Sequence, residues 1–120
     1  MLDTKADLLE RIRLGEDSFL ELKEVRTAGT RITAPDRHDL ADELAAFANT
    51  RGGVCVLGVD DKTRHILGIP LQHLDDVETF VRNIVTDNIK PPLPVIIEKL
   101  TLPTAAGAEL PVLKVDIPRS

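Results

Sequence analysis

The stretch Gly53-Val54-Cys55-Val56-Leu57-Gly58-Val59 carries no polar side chain. A strand with one wetted face alternates polar and apolar residues, so an unbroken apolar run marks a central strand covered on both faces. Upstream of it, Leu40, Leu44, Phe47 and Ala48 repeat at helical spacing. Pro35 stands before them, and Asp36, Asp39, Asp42 and Glu43 crowd the early turns, where the helix dipole favours acids. This predicts a helix opened by Pro35 and closed by Arg51 and Gly52. Gly52 and Gly53 then read as a helix stop and a point of close packing. A phosphate cradle would place its glycines at a helix N-terminus, whereas these follow a helix and precede a strand.

Further outward the pattern continues. Residues 18–25 read as a strand with Leu20 and Leu22 on one face and Glu21 and Lys23 on the other. Residues 26–34 read as a loop or ragged strand end. Before them, Thr4 caps a short helix carrying Leu8, Leu9 and Ile12, and Gly15 ends it. Downstream, residues 60–63 form a turn and 64–68 a short return strand. Leu74, Val77, Val81, Ile84, Val85 and Ile89 define a second helix, stopped by Pro91-Pro92. Residues 93–100 and 110–117 close the chain as a hairpin around Gly107.

The chain of 120 residues has the size of one domain, and 42% hydrophobic with 29% charged residues is a globular composition. The expected class is a single α/β or α+β domain over residues 1–120. Because the sequence breaks off directly after a strand, it reads as one domain cut from a longer protein, with a natural tail as the alternative. Net charge is −5, and the aromatics are three Phe with no Tyr or Trp. Such a composition argues against base-stacking platforms and against the whole domain acting as a polyanion binder. Cys55 is the only cysteine, which excludes an intramolecular disulfide and a cysteine zinc site; in its apolar run it reads as a buried thiol. The charged N-terminus is unlike a signal peptide and no apolar run has membrane length, so the expectation is cytoplasmic with no membrane partner.

Familiar nucleotide and catalytic fingerprints are absent, and His38, His65 and His73 are scattered over different elements. Two charge patterns remain. Glu16 and Glu21 flank the entry to the first strand, and Asp60 leaves the C-terminal end of the apolar strand. If those strands are neighbours, three carboxylates converge, a set that holds Mg²⁺ or Mn²⁺ for phosphodiester cleavage. The competing reading has Glu16 solvated, Glu21 paired with Lys23 or an arginine, and Asp60 forming a turn. The second pattern is basic. Lys23, Arg26, Arg31, Arg51, Lys62 and Arg64 lie in or beside loops and together would make a positive edge for phosphate contacts that are local, weak and salt-dependent.

Four segments in order carry a resemblance. They are Glu16-Asp17-Ser18-Phe19-Leu20-Glu21-Leu22-Lys23, then Leu44-Ala45-Ala46-Phe47-Ala48-Asn49-Thr50-Arg51-Gly52-Gly53, then Leu57-Gly58-Val59-Asp60-Asp61, then Ile66-Leu67-Gly68-Ile69. The set resembles the Schlafen AlbA-type domain, also called the divergent AAA domain, over nearly the whole chain. Asn49, Gly52, Gly53, Gly58 and Gly68 are its structural motif positions here. The resemblance implies an α+β fold, a mixed β-sheet flanked by helices. It also implies a DNA-, nucleic-acid- or ATP-binding regulatory role, with residues 1–120 as the N-terminal fragment of a longer bacterial or archaeal transcriptional regulator. In related animal proteins such domains cleave RNA through a metal-binding Glu, Glu, Asp set, which falls on Glu16, Glu21 and Asp60. Those enzymes use two lobes and basic clefts, whereas this chain has one lobe and net charge −5. The favoured expectation is therefore a non-catalytic binding domain, working as a homodimer or with further domains of the same chain. A metal-dependent endoribonuclease and a dimerisation module using the hairpin edge stand as alternatives.

Overall fold

Among residues 4–119, which the computed structural model describes, the elements run α1 (Lys5–Leu14), β1 (Leu20–Lys23), β2 (Arg26–Ala28), β3 (Arg31–Ala34), α2 (Arg37–Ala48), β4 (Gly53–Leu57), α3 (Leu74–Asn83), β5 (Ile96–Pro103) and β6 (Glu109–Ile117). The main sheet has the order β1-β4-β6-β5, and β2 and β3 form a separate two-stranded ribbon. β1 runs parallel to β4 with Glu21 beside Cys55 and Lys23 beside Leu57. β4 is antiparallel to β6, and β6 to β5. This is an α+β fold with a mixed sheet.

Alternation along the strands separates two apolar layers. Leu20, Leu22, Val54, Val56 and Val112 pack beneath Leu8 and Ile12 of α1. On the other face Cys55, Leu57, Leu113, Val115 and Ile117 pack against Leu40, Leu44 and Ala48 of α2 and Val77 and Val81 of α3. Val54 to Leu57 are all buried, as the apolar run requires of a strand with neighbours on both sides and helices on both faces. Burying each large side chain of this kind contributes about 1.5–3 kcal/mol.

Several boundaries differ from the sequence reading. Residues 26–34 are a hairpin rather than a loop: Gly29, at φ +63, makes the tip, and Ile32 packs on the α2–α3 layer. The first helical residue of α2 is Arg37, because the Asp36 carboxylate accepts from the His38 and Asp39 N–H groups at 3.1 Å and so caps the helix, leaving Pro35 outside. α2 also ends at Ala48, and a turn separates it from Gly52. Gly52 is nonetheless required: at φ +80, a Cβ there would lie 2.5 Å from the Ile117 carbonyl oxygen. The return strand over 64–68 reduces to one bridge, Val59 with Ile66, since left-handed Arg64 and Gly68 curl the segment so that both the Leu67 and Gly68 N–H groups donate to the Gly58 carbonyl. The second helix divides into a 3-10 turn (Leu71–His73), α3, and a π turn (Ile84–Asn88) that keeps Ile84 and Val85 buried. No helix among the described residues is long and apolar enough to cross a membrane.

Candidate functional site

The parallel pair β1–β4 positions the charges. Period-two alternation sends Leu20 and Leu22 toward α1, so Glu21 and Lys23 point to the opposite face, where α2 lies. There they meet Glu43. Lys23 Nζ stands 2.7 Å from Glu43 Oε1 and 3.9 Å from Glu21 Oε1. All three side chains are mostly covered, and the buried Glu43 Oε1 atom has that ammonium as its ion-pair partner. Glu16 approaches from the loop before β1, and its Oε2 accepts the Leu22 N–H at 2.9 Å.

Crowding of this kind has a predictable effect on protons. Burial, then the Glu43 carboxylate, then Glu16, push the Glu21 carboxyl far above the ordinary range, to about 9. Burial works against charge on Lys23 as well, but the Glu43 carboxylate outweighs it and holds the ammonium above its usual value. Cys55, beside Glu21 in register, is fully buried; burial first and Glu21 next raise its thiol and keep it protonated. It is a core residue, as its apolar setting suggests.

Asp60 sits apart. Its Oδ1 accepts the Lys62 N–H at 2.8 Å and the Thr63 N–H at 3.0 Å, closing a turn. Those bonds, Thr63 before Lys62, lower its carboxyl. The structure thus brings Glu16 and Glu21 together and adds Glu43, while Asp60 serves its turn. Among the described residues no group of three His, Cys, Asp or Glu side chains is placed to hold a metal ion. The Lys23 ammonium already occupies the Glu43 carboxylate at 2.7 Å, so this donor set, as arranged, does not fit Mg²⁺ or Mn²⁺. Glu43 is the member that sequence reading assigned only to the helix dipole. Its signal is the spacing Leu40, Glu43, Leu44, Phe47, which puts it on the border of the buried stripe.

The predicted cations divide in the same way. Lys23 is committed to Glu43. The carboxyl ends of β1 and β4 lie side by side, with the Gly58 N–H donating to the Lys23 carbonyl at 2.7 Å, and two exposed loops leave from them. One is the β2–β3 hairpin with Arg26 and Arg31, the other the Asp60 turn with Lys62. Arg26 pairs with Glu24 at 3.1 Å and is near enough to Asp60 to feel its charge. Arg31 and Lys62 are exposed and have no ion pair among the described residues. Arg64 turns elsewhere, over Gly15 at the end of α1. Arg51 belongs to the other end of β4, where its guanidinium lies 5.7 Å from the centre of the Phe19 ring, a contact the sequence does not signal. Asn49 caps α2, and Gly53 passes so close to Phe47 that a Cβ would come within 2.7 Å of its ring.

The comparisons with known proteins agree with this architecture. The family described as Schlafen, AlbA_2 matches residues 16–120. Among solved structures, the chain is similar to the DIP2311 protein from Corynebacterium diphtheriae, with 23% identity and a TM-score of 0.54. That match covers 96% of this chain and 22% of the other, so the shared part is one portion of a much longer protein.

Proposed function

The chain belongs to the Schlafen AlbA_2 family, and from that premise we propose that it is a non-catalytic DNA-binding domain of a larger regulator, reading the phosphate backbone rather than the bases. The observation that carries this reading is the pair of loops at the carboxyl ends of β1 and β4, with Arg26, Arg31 and Lys62 exposed on them. In sheets with parallel strands, ligands are commonly met at those ends. Phosphate contacts need no aromatic platform, which suits a chain with three Phe and no Tyr or Trp. So few cations on a domain of net charge −5 bind weakly alone. A second copy, or further domains of the same chain, supplies the remaining contacts.

The test is a salt titration of duplex DNA binding by fluorescence anisotropy, repeated with Arg31→Ala and Lys62→Ala. Binding that weakens with salt and in both variants supports the reading; no binding at low salt overturns it. A parallel arm offers ATP. Another offers structured RNA with Mn²⁺: cleavage lost in Glu21→Gln would move the function to an endoribonuclease, and would require Asp60 and Lys23 to leave the partners described above.

A further inference from the structure

An open groove of about 740 Å³ lies between α1, the segment following the Asp60 turn, and the turn joining β5 to β6. Its walls are apolar, with Leu9 and Ile12 from α1 facing Ile66 and Leu67. Leu67 is 44% exposed and so keeps a large apolar side chain in water at the groove's mouth. The charged lining is basic: Arg13 and Arg64, with His65 beside them and no carboxylate among the described lining residues. That is an unusual local balance for a chain of net charge −5.

The two arginines are not equivalent. Arg13 shares its charge with Glu10 at 2.5 Å. Arg64 has no ion pair among the described residues. It holds φ at +64, a left-handed conformation that non-glycine residues seldom adopt. Its side chain passes over Gly15, where a Cβ would stand 3.3 Å from Cδ and 3.6 Å from Nη1. The glycine ending α1 therefore leaves room for this guanidinium beside the apolar walls.

We propose that the groove binds a small amphipathic anion: an apolar or aromatic body against Leu9, Ile12, Ile66 and Leu67, with its carboxylate, sulfonate or phosphate held by Arg64. The volume falls in the range of small-molecule clefts. A guanidinium presents a fork of donors matched to such an anion. A nucleic-acid strand is the poorer occupant, because the lining holds only two arginines, one of them already paired with Glu10, where a strand needs a groove of cations tracking its backbone. The proposal stands independently of the DNA reading, which uses Arg26, Arg31 and Lys62; of these Lys62 shares the Asp60 turn with Arg64, but none lines the groove.

The 120-residue chain is titrated with anilinonaphthalene sulfonate, followed by fluorescence, and with phenylnaphthylamine, its counterpart lacking the sulfonate. Saturable one-site binding of the sulfonate is expected, with the uncharged dye at least about tenfold weaker, as one charge-assisted contact is worth. Arg64→Gly suits the left-handed backbone and removes the guanidinium together with its methylene stem; it should weaken the sulfonate about tenfold and change the uncharged dye far less. Leu67→Asp, at an exposed position, should weaken both dyes, and Arg82→Ala on α3 neither. Unsaturable binding, equal affinity for the two dyes, or a sulfonate affinity untouched by Arg64→Gly would each overturn the proposal.

Discussion

Two charged regions leave the same pair of strands, and they handle charge in opposite ways. Under α2, Glu21, Glu43 and Lys23 are largely covered and satisfy one another, with Glu16 at their border. At the carboxyl ends of β1 and β4, Arg31 and Lys62 stand in solvent with no ion pair among the described residues. Covered charges interact strongly because water cannot screen them, and their balance is set within the fold. Exposed cations contribute little to the fold and remain open to a ligand. Charge count alone did not distinguish the two; cover by α2 as against exposure at the strand ends did.

The largest effect should come from removing the cation of the covered set. Lys23→Met leaves Glu43 Oε1 buried beside Glu21 with nothing to balance it. Losing one partner of a covered pair is costly, here about 2–3 kcal/mol, at the low end because the side chains keep some contact with water. Urea unfolding measures it. A loss below about 0.5 kcal/mol would place Lys23 with the exposed cations.

Glu21→Gln sharpens the same contrast with the opposite sign. The folded-state carboxyl is raised well above its unfolded value of roughly 4.3, so between that value and about 9 the native state binds the extra proton. Stability therefore falls as pH rises through that window. A neutral isostere removes this slope. The variant should match the parent near pH 4 and exceed it at pH 8 by at least about 1.4 kcal/mol, the worth of one pKa unit. Equal pH profiles for the two proteins would show that Glu21 ionises as an ordinary surface acid.

On the exposed side, Arg31→Ala and Lys62→Ala should leave unfolding within about 0.5 kcal/mol of the parent. Each should instead lower duplex affinity a few-fold and reduce the slope of log affinity against log salt by about 0.9, the value of one phosphate contact. Loss of stability without a change in slope would reverse the assignment.

Much of this frame was readable from the sequence because it rests on local rules. The unbroken run 53–59 marked β4, and the alternation of Leu20, Glu21, Leu22 and Lys23 placed the charges of β1 opposite its apolar face. Thr4 and Gly15 bounded α1 through their caps. What could not be read depends on which elements pack together. The 26–34 hairpin is held by Ile32 against helices distant in sequence, and its charges hide its period. Glu43 joins Glu21 only because α2 crosses the face of β1 that carries it, and Asp60 leaves the set because its own turn uses the carboxylate first. Arg64 was counted with the loop cations, and only the backbone shows it turned toward α1.

Arg51 gives the smallest effect on DNA binding and the finest discrimination. It was grouped with the phosphate-binding cations on the sequence, yet it stands before β4, at the end of the strand pair away from the hairpin, with its guanidinium over Phe19. A cation on an aromatic face at an exposed position contributes about 0.5–1 kcal/mol. Arg51→Ala should therefore cost the fold about that much and leave the salt slope for duplex DNA unchanged, since no phosphate that spans Arg31 and Lys62 needs to reach it. Arg51→Lys should recover less than half of the loss, because an ammonium does not stack as a planar guanidinium does. A fall in the salt slope equal to that of Arg31→Ala would instead mean that the bound polyanion wraps from one end of β4 to the other, and the contact surface would have to be redrawn along the edge of the sheet rather than across its carboxyl ends.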